Sequence, residues 1–130
     1  MVFHPIAVHF PIAFYFLELL LLLLWKAKHD AEKLRFARFA FSAGYLGMLA
    51  ALIAGWIDAG GTTHLHGDLL THFLLASGVF LFYSLRAIYW RKAKSDARNF
   101  ALILLSGSIA GCLLVTAAAF WGGKLVYGGP

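Results

Sequence analysis

The sequence predicts an all-α membrane protein, a four-transmembrane-helix bundle of up-down-up-down form, and three observations carry that prediction. Of its 130 residues, 62% are hydrophobic, against roughly 45–50% in soluble domains, and the mean hydropathy is +0.79. The apolar residues gather into four runs, each close to the about 20 residues that a helix needs to cross a hydrocarbon core. Almost all the lysines and arginines lie at or beside the first and third connections between those runs. A single domain over 1–130 accounts for the whole chain.

The first span, 5–25, carries His9 and Glu18 as its ionisable residues. Pro5 suits a first helical position, and Pro11, which cannot donate to the Ala7 carbonyl, predicts a kink just past His9. The second span, 39–57, is uncharged. The third, 67–90, opens on Gly67-Asp68, with Asp68 as N-cap or first-turn residue, and reaches Trp90 if Arg86 snorkels to the interface. The fourth, 99–123, is uncharged again. Helix is the state that pairs every backbone group inside one segment, which lipid demands. Ala43, Gly47, Ala51 and Gly55 recur at every fourth position of the second span, and Gly107 and Gly111 repeat that spacing in the fourth. These seams predict close helix packing, with room for a flat cofactor as the rarer use.

Charge sets the direction. Lys26, Lys28, Lys33, Arg35 and Arg38 flank the first connection, and Arg86, Arg91, Lys92, Lys94 and Arg98 flank the third; Lys124 stands apart. The positive-inside rule makes the basic end cytoplasmic and puts both termini on the outer, periplasmic side of a bacterial inner membrane. Trp25 and Trp90 then mark the inner interface, Trp56 and Trp121 the outer one. The net charge of +5 is thereby explained by orientation rather than by nucleic-acid binding. The first apolar run is too long for a signal peptide and is expected to stay in the mature protein. Cys112 is the sole cysteine, so there is neither an internal disulfide nor a C-x-x-C-H haem attachment. Nothing resembles a nucleophile–base pair, a phosphate loop or H-E-x-x-H, which points to electron transfer rather than hydrolytic or transferase chemistry.

The histidines are distributed unevenly. His4, His9, His64, His66 and His72 belong to the outer end and His29 to the inner one. Imidazole is ill suited to hydrocarbon and well suited to metals and protons. His9 and His72 fall at matching depth on different helices, as a bis-imidazole haem b requires. Asp68, four residues before His72, is placed to fix that ring's tautomer. His4 with His66 offers a second, shallower pair, so one or two haems are expected. The alternatives are an outward Zn or Cu site from His64, His66, His4 and Asp58, and a non-catalytic subunit whose histidines are structural or pH-sensing. Glu18 lies about half a turn around the helix from His9. It is expected in an ion pair with Arg38 or Arg86, the other reading being a proton acceptor near a quinone pocket.

The stretch His4-Pro5-Ile6-Ala7-Val8-His9-Phe10-Pro11-Ile12 closely resembles the opening motif of a prokaryotic integral membrane family, domain of unknown function 2231. Gly55 to Asp58, His72, and Gly122-Gly123-Lys124-Leu125-Val126-Tyr127 match as well, so the resemblance spans nearly the whole chain. Members commonly continue with another histidine, where this chain reads Gly128-Gly129-Pro130. The resemblance implies a four-helix membrane domain and marks His4, His9, Asp58 and His72. Related domains occur beside Rieske-type and cytochrome c modules, which implies membrane electron transfer. The function expected is therefore a b-type haem protein, in a homodimer, that passes electrons between the quinone pool and an outer cytochrome c or Rieske-type partner.

Overall fold

The computed structural model describes residues 7–58 and 67–127. Among them all regular structure is helical: α1 (His9–Lys28), α2 (Ala31–Asp58), α3 (Gly67–Lys92) and α4 (Phe100–Tyr127). Each is long and apolar enough to cross a membrane.

Local chemistry sets the ends. A turn at Val8 precedes α1, so Pro11 falls in the first helical turn, where its missing N–H would be unpaired anyway. The break expected just past His9 instead falls just before it, at Val8, between helical Ala7 and α1. α1 closes on His29, in the left-handed region at φ 53°, and Asp30 caps α2 by accepting the Glu32 N–H at 3.0 Å. Capped there, α2 begins at Ala31 and carries Lys33, Arg35 and Arg38 on its first turns rather than in a loop. Gly67 starts α3 at φ +60°, a conformation glycine takes without strain. Asp68 follows in the first turn, where the helix dipole favours a carboxylate.

The four helices form a ring. α1 touches α2 and α4, α3 touches α2 and α4, and the two remaining pairs stand on the diagonals. Sequence neighbours run antiparallel: Gly44 of α2 meets Tyr15 of α1 while Gly47 meets Pro11, one turn nearer the start of α1. The bundle is therefore up-down-up-down, with α1 and α3 parallel across its centre.

Those diagonal helices meet through side chains. Tyr15 stacks on Tyr83 with centroids 3.7 Å apart and planes at 9°. One turn toward the basic end, Glu18 is 0% exposed. Its carboxylate takes a two-pronged ion pair from Arg86, Nη1 to Oε1 at 2.9 Å and Nη2 to Oε2 at 2.8 Å. Trp90 Nε1 donates to Oε2 at 3.1 Å and Ser108 Oγ to Oε1 at 3.4 Å. The guanidinium also lies 5.0 Å from the Phe41 ring centroid, a cation–π contact. Arg86 thus turns into the bundle rather than snorkelling to the interface. Trp90 follows it into the core, so it is no interfacial anchor. A planar fork matched to a carboxylate suits a dry site, because it satisfies both oxygens at once.

The glycines of α4 are seats for these side chains. A Cβ at Gly107 would stand 3.0 Å from Arg86 Nε, and one at Gly111 would collide with the Tyr83 hydroxyl. On α2, a Cβ at Gly44 would lie 2.8 Å from Tyr15 Cε1. The small-residue seams therefore let large side chains cross the bundle as much as they bring backbones together.

Removing one partner of the ion pair strands the other charge in a low-dielectric interior. Glu18→Ala is expected to cost about 3–5 kcal/mol in mixed-micelle unfolding, and the double change Glu18→Leu/Arg86→Leu to recover most of it. A loss below about 1 kcal/mol for the single change would show that the pair is solvated.

A candidate ring-binding cavity at the histidine end

Away from the ion pair, toward the helix ends that carry His9 and His72, the four helices enclose a partly open cavity of about 260 Å³. His9 comes from α1 and His72 from α3, the two diagonal helices, while Ala51, Ala76, Ala118 and Gly122 keep the walls shallow. Short side chains at these positions leave the space that leucines would fill. An apolar cavity of roughly 150 Å³ takes up one benzene ring. At this volume the cavity has room for a substituted single ring, and a porphyrin would require the helices to part further.

His72 is held by the backbone. Its Nδ1 lies 3.0 Å from the Ala118 carbonyl oxygen. A carbonyl only accepts, so Nδ1 carries the hydrogen and the lone pair is on Nε2. The acceptor is the backbone of a residue without polar atoms in its side chain. The ring also presses on Gly122, where a Cβ would stand 2.9 Å from Cε1.

Asp68, expected to orient His72, instead faces Lys124, with Oδ2 to Nζ at 3.5 Å. Lys124 in turn sits 4.5 Å from the Trp121 ring centroid. The lysine is thereby drawn to the start of α3, and Ala118 supplies the orienting contact to His72. Asp58 closes α2 at the same end of the bundle. His4, His64 and His66 lie outside the described residues, and with them the second histidine pair and most of the Zn or Cu alternative. Among the described residues no group of three or more His, Cys, Asp or Glu side chains is close enough to hold a metal ion.

His9 and His72 do not stand directly opposite each other. Glu18 and Arg86 meet across the bundle 68 positions apart, and Tyr15 and Tyr83 stack at the same separation. In that register position 77 stands opposite His9, so His72 lies five residues, or about 7 Å along the axis, nearer its own helix start. Equal depth, inferred from distance to each helix start, assumed that α1 and α3 begin together. Across this register the backbones at the two positions are offset along the axis, while both side chains line one cavity.

Glu18 stands apart from this cavity, sealed among Arg86, Trp90 and Ser108. Of the two partners expected from the sequence, Arg38 and Arg86, the structure pairs it with Arg86; Trp90 and Ser108 were not foreseen. Their signal was available: positions 86 and 90 share a helix face, and Gly107 beside Ser108 marks where a large side chain crosses.

A membrane bundle of four helices with an apolar, histidine-flanked cavity at one end is the class of protein this geometry defines. The chain belongs to the DUF2231 family of predicted membrane proteins, whose profile matches residues 1–129. No curated protein and no solved structure matches it.

Gly122 and Gly123 separate the cavity's demands from helix propensity. A Cβ at Gly123 meets nothing within 4 Å, so Gly123→Ala should be neutral or stabilising by up to about 1 kcal/mol. Gly122→Ala should push the His72 ring off Ala118 and cost about 1–3 kcal/mol. Ring ¹⁵N shifts of His72 in bilayers, with thermal stability, check both. Equal behaviour of the two variants would remove Gly122 as the seat of the ring.

Proposed function

We propose that the chain is a membrane-embedded electron-transfer protein that oxidises quinol at its histidine end and passes the electrons to an outward-facing carrier of the cytochrome c or Rieske class. The observation that carries this reading is His9 and His72, on diagonal helices, lining one apolar cavity of single-ring size. A para-quinol bears its two hydroxyls at opposite ends of one ring. Two imidazoles arriving from opposite helices suit that shape.

His72 has the chemistry for a hydroxyl. With its hydrogen on Nδ1 and directed at Ala118, its Nε2 is the atom that accepts. A quinol O–H donates there, and when the proton follows, the imidazolium keeps its bond to the carbonyl. Oxidation releases two electrons, which the outward carrier takes one at a time, and two protons, which leave to water through the histidine end. The positive-inside rule supports an outward face for that end, with the basic end cytoplasmic in a bacterial inner membrane.

A second reading, in which His9 and His72 would hold haem b, draws on the same Nδ1 contact, since iron-ligating histidines commonly give their other N–H to a carbonyl. Bound there, haem would supply one-electron storage. Both histidines would hold and orient it, and the apolar walls would exclude water.

Titration of the purified protein with a prenylated benzoquinol, followed by tryptophan quenching, tests the first reading. Saturable binding is expected, weakened at least about tenfold in His72→Ala and in His9→Ala. Unchanged binding in both variants would contradict it. A dithionite-reduced spectrum decides the second reading: split b-type bands establish haem, and no Soret absorbance in protein from haem-replete cells sinks it.

A further inference from the structure

The seam between α2 and α3 differs from the other three. These helices touch least of any neighbouring pair. Toward the basic end, side chains fasten the two helices: Tyr45 Oη to Ser84 Oγ at 2.8 Å, Phe41 against Tyr83 and Trp90, and Arg86 over Phe41. Toward the histidine end the same two helices contribute Met48, Ala51 and Leu52 on one side and His72, Ala76 and Val79 on the other to the cavity wall. The seam is thus fastened over one half and leads into the cavity over the other.

Two of the other seams are packed beside the cavity: Gly47 on Pro11 between α2 and α1, and Gly122 on His72 between α4 and α3. Between α4 and α1, Cys112 Sγ lies 3.6 Å from the Tyr15 carbonyl, on the ion-pair side of the cavity. Among the described residues the α2–α3 seam is thus the least fastened of the four.

We infer that the α2–α3 seam is a lateral portal, through which a bilayer-dissolved ligand inserts a small polar ring into the cavity while its apolar tail stays in the seam. The inference rests on the quinol reading for the identity of the ring. It adds the substrate class: a ring with a long lipid-soluble tail, rather than a ring dissolved in water. The cavity volume of about 260 Å³ accommodates the ring alone, so a long tail must lie outside it. Hydrocarbon is the medium where such a tail costs no exposure to water. At the seam's edge Ser77 and Phe80 of α3 are exposed, and Leu52 of α2 is half-buried.

The antiparallel register supplies the test. Tyr45 faces Ser84, so one turn toward the histidine end Leu49 faces Phe80, neither of which lines the cavity. In a Cys112→Ser background, Leu49→Cys and Phe80→Cys are bridged by a bis-methanethiosulfonate reagent, which dithiothreitol later releases. The protein sits in phospholipid vesicles, and tryptophan quenching follows two probes: a polyprenylated benzoquinol in the bilayer and the same ring without its tail, added from water. Bridging should slow the quenching by the tailed compound about tenfold or more, reversibly, and leave the tail-less ring within about twofold. An unchanged rate for the tailed compound overturns the portal while the quinol reading stands. Equal slowing of both overturns it too, because a closed seam leaves the aqueous route untouched. If neither compound quenches before bridging, the quinol reading fails and the portal falls with it.

Discussion

The buried ion pair between Glu18 and Arg86 sets the geometry of everything else in this bundle. Hydrocarbon does not stabilise a lone charge, so each of these residues requires the other. Their helices lie diagonally, and the pair can form only if α1 and α3 run parallel in one register. The two hydrogen bonds at 2.8–2.9 Å tolerate little axial slip. The Tyr15–Tyr83 stack agrees with the same register. Apolar packing alone would permit several, because in lipid the helices gain nothing from hydrophobic burial against one another.

From that register the opposite end follows. His9 and His72 lie on the same two helices, so the ion pair fixes their relative height as well as their proximity. Helix α4 is shaped to the result, with Gly107, Gly111 and Gly122 receiving Arg86, Tyr83 and His72 in turn as α3 is followed toward its start. The two halves of the bundle then differ in kind. One is filled by aromatic rings and a saturated carboxylate; the other, where alanine and glycine interrupt the larger side chains of the wall, is left with space. Ordering the filled half is what allows the other to stay open without collapsing, since α1 and α3 cannot slide to close it.

Much of this was legible in the sequence. Four apolar runs and two basic blocks specify the helices, because spanning length and backbone pairing leave lipid-embedded chains few options. Glu18 could be assigned an ion pair from its isolation in an apolar run, with Arg86 among its partners. The direction of Arg86 was not legible, since snorkelling and inward pairing use the same side chain in opposite senses. Depth was misjudged for a related reason: distance from a helix start says nothing about register between helices. The contact of His72 with Ala118 was beyond reach, because any residue offers a carbonyl. Asp68 was assigned to its own helix by spacing, but Lys124 of the adjacent antiparallel helix competes for it.

The central claim, that the space between His9 and His72 holds the head ring of a membrane quinone, is tested most directly by photoaffinity labelling. A prenylated azidoquinone is irradiated with the protein in vesicles, and the modified peptides are mapped. Adducts concentrated on the cavity-lining residues Ile12, Met48, Leu52, His72, Val79 and Val115, and suppressed by excess unlabelled quinone, are the predicted result. Adducts spread over lipid-facing residues such as Leu46, Leu81 and Leu113, with no suppression, would contradict it.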